Sequence, residues 1–344
     1  MVAISASYVS PKLCWPVSFM GLAFIIVYPL NIIWLFYYAI SKQKNILWPT
    51  VSLLLGLSTF LLHYNITDSR NTYTTPPFKV LSFNVRLFDL YNWSNNLETR
   101  TEIFKFIKSQ KADILCFQEY YTENKGTFNN TQLIKKEMQT PFCHTYYTTH
   151  TMNNTRHWGM AIFSKYPIVN SGWVDIGVTT SNACMYADVL IDNDTLRVYN
   201  AHLESIRFKK QDYTYVDDIR KNVEQNNYSG ILPILKRLKT AFIKRATETE
   251  IIKQHKANCK LPLIFCGDFN DTPASYTYKQ IAGTLKDAFK DGNAGFGTTY
   301  NGVFPAFRID YILYSPHIAV SQFTTHKIKL SDHCPLTATI HLKP

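Results

Sequence analysis

The chain has 344 residues, enough for more than one folding unit, and its 46% hydrophobic content is that of an ordinary globular protein. The formal net charge of +11 points to an anionic partner: nucleic acid, a phosphorylated metabolite or an anionic lipid headgroup. Seven cysteines occur without CxxC spacing, so zinc-site spacing is absent, and the odd number excludes complete pairing.

The hydrophobic residues are unevenly spread. No charged residue occurs from Leu13 to Ser41, and none from Asn45 to Thr67; Lys42 and Lys44 lie between. A membrane-crossing helix needs about 20 apolar residues, so the two runs are expected to span a membrane at about 15–40 and 46–63. The first carries Phe, Tyr and Trp near its ends, as interfacial anchors do. A cleaved signal peptide fits less well, because only Lys12 precedes a long apolar run and a second run follows. A buried helical hairpin is the other alternative. Two lysines in the tight "SKQK" connection against one in the N-terminal tail place the connection in the cytoplasm and both ends outside. Residues 1–64 then form an anchor, the polar stretch "NITDSRNTYTTPP" (65–77) a linker, and 78–344 a domain facing the extracytoplasmic side.

The domain reads as alternating strands and helices. "FKVLSFNVRLF" is a strand, and "LETRTEIFKFIKSQKADILCFQE" is a helix followed by a short buried strand. "GMAIFSKYPI" ends in a turn, and "ACMYADVLIDNDTLRVYNAHLES" reads as two strands joined by a "DND" hairpin. "LPLIFCGDFND", "FRIDYILYS" and "PLTATIHL" complete the set. Short β-branched strands with helices between them fit two packed sheets flanked by helices. Outside a reducing compartment, Cys143 could pair with Cys184 or Cys259; otherwise the cysteines are expected as small buried apolar residues.

Residues 205–260 stand apart. They hold 13 Lys and Arg against 6 Asp and Glu, a net +7, whereas residues 78–344 as a whole carry +8. From about Leu232 the spacing of Leu235, Leu238, Phe242, Ile243 and Ala246 predicts one amphipathic helix. Its basic face is either merely solvated or a shelf for phosphates or a membrane surface.

Several strands end in polar residues, which converge on one sheet edge, where ligand sites form. "SFNVR" supplies Asn84, "LCFQE" Glu119, "YNAHLES" Asn200 and His202, "CGDFND" Asp268 and Asn270, "RIDYIL" Asp310, and "SDHCPL" Asp332 and His333. The set offers carboxylates and amides for a hard cation and histidines for proton work, with no Ser or Cys placed as a nucleophile. Mg²⁺ favours a few carboxylates with water and phosphate oxygens. Phosphate ester hydrolysis needs an oriented water, charge neutralisation and protonation of the leaving group. Arg86 and Arg156 are weaker candidates for touching a phosphate. No GxxxxGK[ST], GxGxxG or GxSxG motif occurs.

In this order, "SFNVR…CFQE…NAHLES…GDFN…RIDYIL…SDHCPL" resembles the endonuclease/exonuclease/phosphatase superfamily over roughly 78–344. The resemblance implies a four-layered α/β sandwich of two mainly antiparallel sheets flanked by helices, here preceded by a transmembrane hairpin. It implies a Mg²⁺ cofactor, with Mn²⁺ or Ca²⁺ as alternatives. It gives Glu119 as the main metal carboxylate, with Asn84 and Asp332 beside the metal. Asp268 would orient or deprotonate the attacking water, and Asn270 would hold the phosphate. His333, held by Asp310, would serve as the acid–base element. His202 matches a phosphate-facing histidine of the deoxyribonuclease and sphingomyelinase branches, and the apurinic endonucleases depart at this position. The loop "FGTTYNG" (296–302) resembles one that abuts the site. The expected function is a membrane-anchored, metal-dependent phosphoesterase, nuclease-like and acting on phosphodiesters. The alternatives are a sphingomyelinase-like phospholipid phosphodiesterase, a small-molecule phosphatase, and a catalytically silent membrane-tethered binding module.

Overall fold

The computed structural model describes residues 2–67, 72–177, 181–208, 212, 215, 230–292, 294–302 and 307–342. Two six-stranded sheets lie face to face. Sheet I runs β13 (Ile318–Thr325), β14 (Leu336–Leu342), β2 (Phe78–Asn84), β3 (Ile114–Glu123), β5 (Arg156–Ser164), β4 (Phe142–His150). Sheet II runs β10 (Lys286–Asp287), β12 (Asp310–Tyr314), β9 (Leu263–Asp268), β8 (Asp194–His202), β7 (Ala183–Ile191), β6 (Ile168–Val174). The β2–β3 and β8–β9 pairs are parallel and the other pairs within the two sheets antiparallel. The expectation of mainly antiparallel sheets therefore holds.

The alternation of side chains along a strand explains the layers. Val80, Ile114, Cys116 and Ile162 of sheet I meet Met185, Val198, Ile264 and Ile312 of sheet II in a core between the sheets. The opposite faces carry Leu81, Phe83 and Phe117, covered by Ile103 and Ile107 of α5 (Thr99–Gln110) and Ile134 of α6 (Asn130–Glu137). On sheet II, Tyr199, Phe265 and Tyr311 pack under Ile252 of α7 (Ile231–Ala257) and Ile281 of α8 (Tyr276–Ala282). The order is helix, sheet, sheet, helix. All seven cysteines are unpaired, and Cys116, Cys184, Cys266 and Cys334 are buried, so no bridge joins Cys143 to Cys184 or Cys259.

Close approach of β8 and β9 depends on Gly267. Its φ is +151°, and a Cβ there would lie 2.2 Å from the Ala201 carbonyl oxygen. Gly267→Ala is expected to cost about 2 kcal/mol through backbone strain and a forced strand shift. Thermal unfolding followed by circular dichroism checks this, and an unchanged midpoint would sink the argument.

The N-terminal region is helical but broken. α1 (Val2–Ser5), α2 (Pro11–Leu22), α3 (Phe24–Ile40) and α4 (Leu47–Leu61) pack around Ala3, Phe24, Tyr28 and Ala274. Among the described residues no single helix is long and apolar enough to cross a membrane; α2 and α3, bent by 60°, meet that test only together. The expected span 15–40 is thus two helices. The break falls at Ala23, which caps the end of α2 and the start of α3, while Pro16 and Cys14 with φ −146° loosen the first turns of α2. The expected span 46–63 becomes a helix of 15 residues.

The connection to the domain is not a free tether. Tyr64–Asn65 (β1) pairs antiparallel with Gly295–Phe296 (β11). Asn65 Nδ2 donates to Gly292 O at 2.9 Å, and Thr75 O lies 2.7 Å from His341 Nδ1. Residues 68–71 of the expected linker lie outside the described residues, as do Lys209, Lys210, Arg220 and Lys221 of the basic segment.

Candidate active site

The site forms at one end of the sandwich, where β2, β8 and β9 finish and β12 starts. In sheet II the register sets Asp310 opposite Asp268, and Asp268 beside His202, so three neighbouring strands deliver three side chains in a row. In sheet I, β3 bulges between Phe117 and Tyr120, and Glu119 in the bulge has φ +46°. Such bulges re-aim a side chain beside a functional site. Asn270, φ +52°, is a second non-glycine residue held in the left-handed region. Both conformations cost energy that the surrounding contacts must offset.

Asp268 is the hub and is only 1% exposed. Its Oδ1 accepts from the Asn270 backbone N–H at 2.9 Å; its Oδ2 accepts from Asn84 Nδ2 at 3.1 Å and Asn270 Nδ2 at 3.4 Å. Asn84 Nδ2 also reaches Glu119 Oε1 at 3.4 Å. His333 Nδ1 lies 3.0 Å and 3.1 Å from the two Asp310 oxygens, and its Nε2 points toward Asp268 Oδ2 at 3.6 Å. Burial opposes a charge on His333, but Asp310 and Asp268 together raise its pKa well above the ordinary value. Burial pushes the Asp310 carboxyl up to about 6, with His333 opposing the rise. The pairing thus favours the charged form of the His333 ring beside the Asp310 carboxyl.

His202 Nε2 is buried without a hydrogen-bond partner, 3.7 Å from Glu119 Oε1 and 3.6 Å from Asp268 Oδ2. A buried polar atom left unpaired beside two carboxylates calls for a further group. Ligand atoms of Asp268, Asp310 and His333 lie within 4.8 Å of one another. The carboxylate oxygens of this set suit a hard divalent cation, while Asn84 turns its Nδ2 to Glu119 and Asp268 and its Oδ1 accepts from the Arg86 N–H at 3.1 Å. His333 is a poor ligand while its Nδ1 is engaged by Asp310 and its ring is charged. The 35% exposed side chain of Glu119 faces the same space and is the freer carboxylate.

The other expected residues divide. Asp332 sits at the rim, its Oδ2 3.7 Å from Arg86 Nε, and Arg86 also lies over the Trp93 ring at 4.8 Å. Ser331 Oγ donates to Asn84 O at 2.9 Å and fastens this segment to β2. Asn200 does not face the site. Its Nδ2 donates to Phe117 O and Ala161 O, and its Oδ1 accepts from Gln118 Nε2 at 2.6 Å, so its amide is spent tying the sheets together. Arg156 is not brought to the carboxylates either; it pairs with Glu123 at 3.1 Å on the far extension of β3.

The sequence reading passed over Gln118 and Thr299. Thr299 Oγ1 accepts from the backbone N–H groups of Ile309 and Asp310 at 3.0 Å and 3.1 Å and fixes the start of β12. It belongs to the "FGTTYNG" loop, which does abut the site: Tyr300 bridges to His333, and their rings meet edge-on at 5.5 Å. Gln118 could have been found as a polar residue inside an otherwise apolar strand.

Comparison with known proteins bears on the fold and the family. The chain is 24% identical over 285 residues to the uncharacterized protein YbhP of Escherichia coli K12, covering 77% of this chain and 96% of that one. Among solved structures, an endonuclease/exonuclease/phosphatase family protein from Bacteroides thetaiotaomicron superposes with a TM-score of 0.55 at 16% identity, covering 79% of this chain and 100% of its own. The human Nocturnin catalytic domain with bound sulfate gives 0.53 at 19%, covering 78% and 94%. At such identities these structures show the fold alone. Residues 1–63 match a domain of unknown function. Residues 81–333, most of the chain, match the endonuclease/exonuclease/phosphatase family. The chain belongs to that family, whose members are hydrolases acting on phosphate esters.

Proposed function

We propose that the protein is a divalent-metal-dependent phosphoesterase, with Mg²⁺ as the working ion, held at a membrane by its N-terminal helices. The observation that carries this reading is the row Asp310–His333–Asp268 beside the unpartnered Nε2 of His202. Glu119, Asn84 and Asp332 would hold the cation, which when bound supplies charge neutralisation at the phosphoryl oxygens. Asp268, fixed by three donors, orients the attacking water and accepts its proton. His202 turns its unpartnered Nε2 toward the phosphoryl oxygens, whereas Asn270, whose N–H groups are engaged by Asp268 and Leu203 O, acts on them through the Asp268 it holds in place. His333, oriented and kept charged by Asp310, stabilises the developing charge and delivers a proton to the leaving oxygen.

Membrane anchoring is supported by α3 and α4, which expose Ile33, Phe36, Ile40, Leu54 and Leu55 to the surroundings. The lysine balance places the α3–α4 connection in the cytoplasm and the domain outside. A reporter fused after Pro344 should then be active only in an extracytoplasmic assay; a fusion active in the cytoplasm overturns the topology. The basic balance of residues 78–344 favours a second reading, a nuclease-like phosphodiesterase.

The test is hydrolysis of bis(p-nitrophenyl) phosphate by the full-length protein in detergent, with Mg²⁺, Mn²⁺ or Ca²⁺. Turnover is expected to vanish in EDTA and return on adding metal. Turnover that survives chelation removes the metal from the proposal. No turnover of any phosphate ester in any metal removes the enzyme.

A further inference from the structure

Three features meet at the end of sheet II where the site opens. The first is the dock of the N-terminal helices. Beyond Asp268 and Asn270 the chain runs on through 271–275, and Ser7 Oγ donates to Ala274 O at 3.0 Å. Gly21 lies so close that a Cβ would meet Ala274 O at 3.0 Å and Ala6 Cβ at 2.6 Å. Two residues before Asp310, Arg308 Nη1 donates to Leu62 O at 2.6 Å. The helices are therefore held by the same segments that carry Asp268, Asn270 and Asp310.

The second feature is the surface they present. α3 and α4 pack on one another through Tyr28, whose hydroxyl donates to Leu53 O at 3.0 Å and whose ring stacks on Phe60 at 4.8 Å. Their remaining faces are apolar and exposed. Trp34, Tyr37 and Trp48 gather near the tip, which carries Lys42 and Lys44. An apolar shaft, an aromatic girdle and a cationic tip complement a bilayer with anionic headgroups.

The third is a cleft of about 390 Å³ between residues 204–207 and the N-terminal half of α7. Arg207, Lys236, Arg237 and Lys244 line it with Glu204. Glu204 pairs with Lys244 and Arg207 at 3.3 Å each, and Asp212 pairs with Arg237 at 3.2 Å, so among the described residues cations are in excess at the cleft. The cleft opens two residues past His202, and Asn270 Nδ2 donates to Leu203 O at 3.0 Å in between. The same helix carries α2: Phe19 meets Phe242 at 5.2 Å, and Lys239 lies over Trp15 at 4.9 Å.

We propose that the substrate is a phosphate ester carried by an anionic membrane lipid, and that the cleft on α7 receives the anionic part of its headgroup. This rests on the phosphoesterase and membrane-anchor readings above. The docked helices set the site mouth at the bilayer surface, so the substrate reaches it without leaving the membrane. In the reaction, water oxygen bonds to phosphorus and the P–O bond to the leaving alcohol breaks. One water proton goes to the carboxylate base, and the departing oxygen takes one from the imidazolium. Nucleic acid would satisfy the charge of the cleft but gives no use for the apolar shaft.

The full-length protein is reconstituted in phosphatidylcholine vesicles with or without phosphatidylglycerol, in Mg²⁺. Three turnovers are compared: bis(p-nitrophenyl) phosphate, the vesicle lipid, and a single-stranded oligonucleotide. Lipid turnover should require the anionic lipid and exceed oligonucleotide turnover. In Lys236→Glu/Lys244→Glu the ratio of lipid to soluble-diester turnover should fall about tenfold, the loss of two cation contacts. Soluble-diester turnover without lipid turnover overturns the lipid substrate alone, as does an oligonucleotide preference. A ratio unmoved by the charge reversal overturns the cleft. A protein inactive on all three overturns the parent reading as well.

Discussion

Asp268→Asn is expected to lower kcat about a thousandfold, with only a modest drop in the unfolding midpoint from Asn84 Nδ2 and Asn270 Nδ2 losing their shared acceptor. The side chain keeps its shape, and its oxygen can still accept from the Asn270 N–H at 2.9 Å. What disappears is the charge that accepts a proton and holds His333 cationic across 3.6 Å. General acid–base and electrostatic contributions of this kind are each worth roughly 10²–10⁴ in rate. His333→Ala should fall as far, and the double variant little further, because the two act as a unit. The pH profile separates this arrangement from simple damage. The pKa of His333 is raised above its ordinary value, so the imidazolium persists through neutrality and is lost only as pH rises past the raised value. Asp310→Asn removes the strongest of the three carboxylates, Asp310, Asp268 and Asp332, that raise it, so the alkaline limb of kcat should move toward lower pH. Steady-state kinetics across pH on a soluble diester decide both points. An Asp268→Asn enzyme within tenfold of the parent, or an alkaline limb unmoved in Asp310→Asn, would refute the assigned roles.

How far such a site can be read from residues depends on where each strand lies. β2, β3 and β9 carry short apolar runs buried in the sandwich, and β14 alternates Leu336, Ala338, Ile340 and Leu342 with polar residues, so the sequence shows them clearly. β4 and β6 are edge strands with largely exposed faces, and their mixed composition resembles loop. The candidate site residues were legible because most stand at or just beyond the end of a legible strand, Glu119 in its bulge inside β3 being the exception. Asn200 was misread for the same reason. It shares a face with His202 but lies one pleat deeper, where an amide bridges sheets instead of meeting solvent. The buried face of α7 was half legible. Periodicity finds Leu238, Phe242 and Ala246, but not Arg245 and Glu248, which are buried on that face. Arg245 binds Asp271 at 3.2 Å and Glu204 O at 2.8 Å, and Glu248 Oε2 accepts from the Glu204 backbone N–H at 2.9 Å. The apolar character of the first 63 residues was plain, whereas their docking onto the catalytic loops depends on long-range hydrogen bonds that no local pattern announces.

Arg308→Met should destabilise the protein by about 3–5 kcal/mol, the cost of leaving one partner of a buried ion pair uncompensated. The guanidinium is buried, is ion-paired with Asp287, and lies 4.4 Å and 4.7 Å from the Phe289 and Tyr311 ring centroids. Asp287 also accepts from the Tyr278 hydroxyl at 2.7 Å and the Phe289 N–H at 3.1 Å, two neutral donors that do not balance a buried charge. At roughly 2–4 °C per kcal/mol for a chain of this size, the midpoint should drop by about 10 °C. The paired change Arg308→Met/Asp287→Leu should recover most of that loss, since it removes both charges together. One deficit should persist in the pair. Leu62 O loses its donor at the junction of α4 and the domain, so limited proteolysis should cut more readily around residues 62–67 in both variants. The same variants should lose activity on membrane-borne substrate more than their folded fraction accounts for, because Asp310 follows Arg308 by two residues and shares its restraint. A single variant with an unshifted midpoint, or a pair no more stable than the single, would show that the bridge between helices and site is not held by this ion pair.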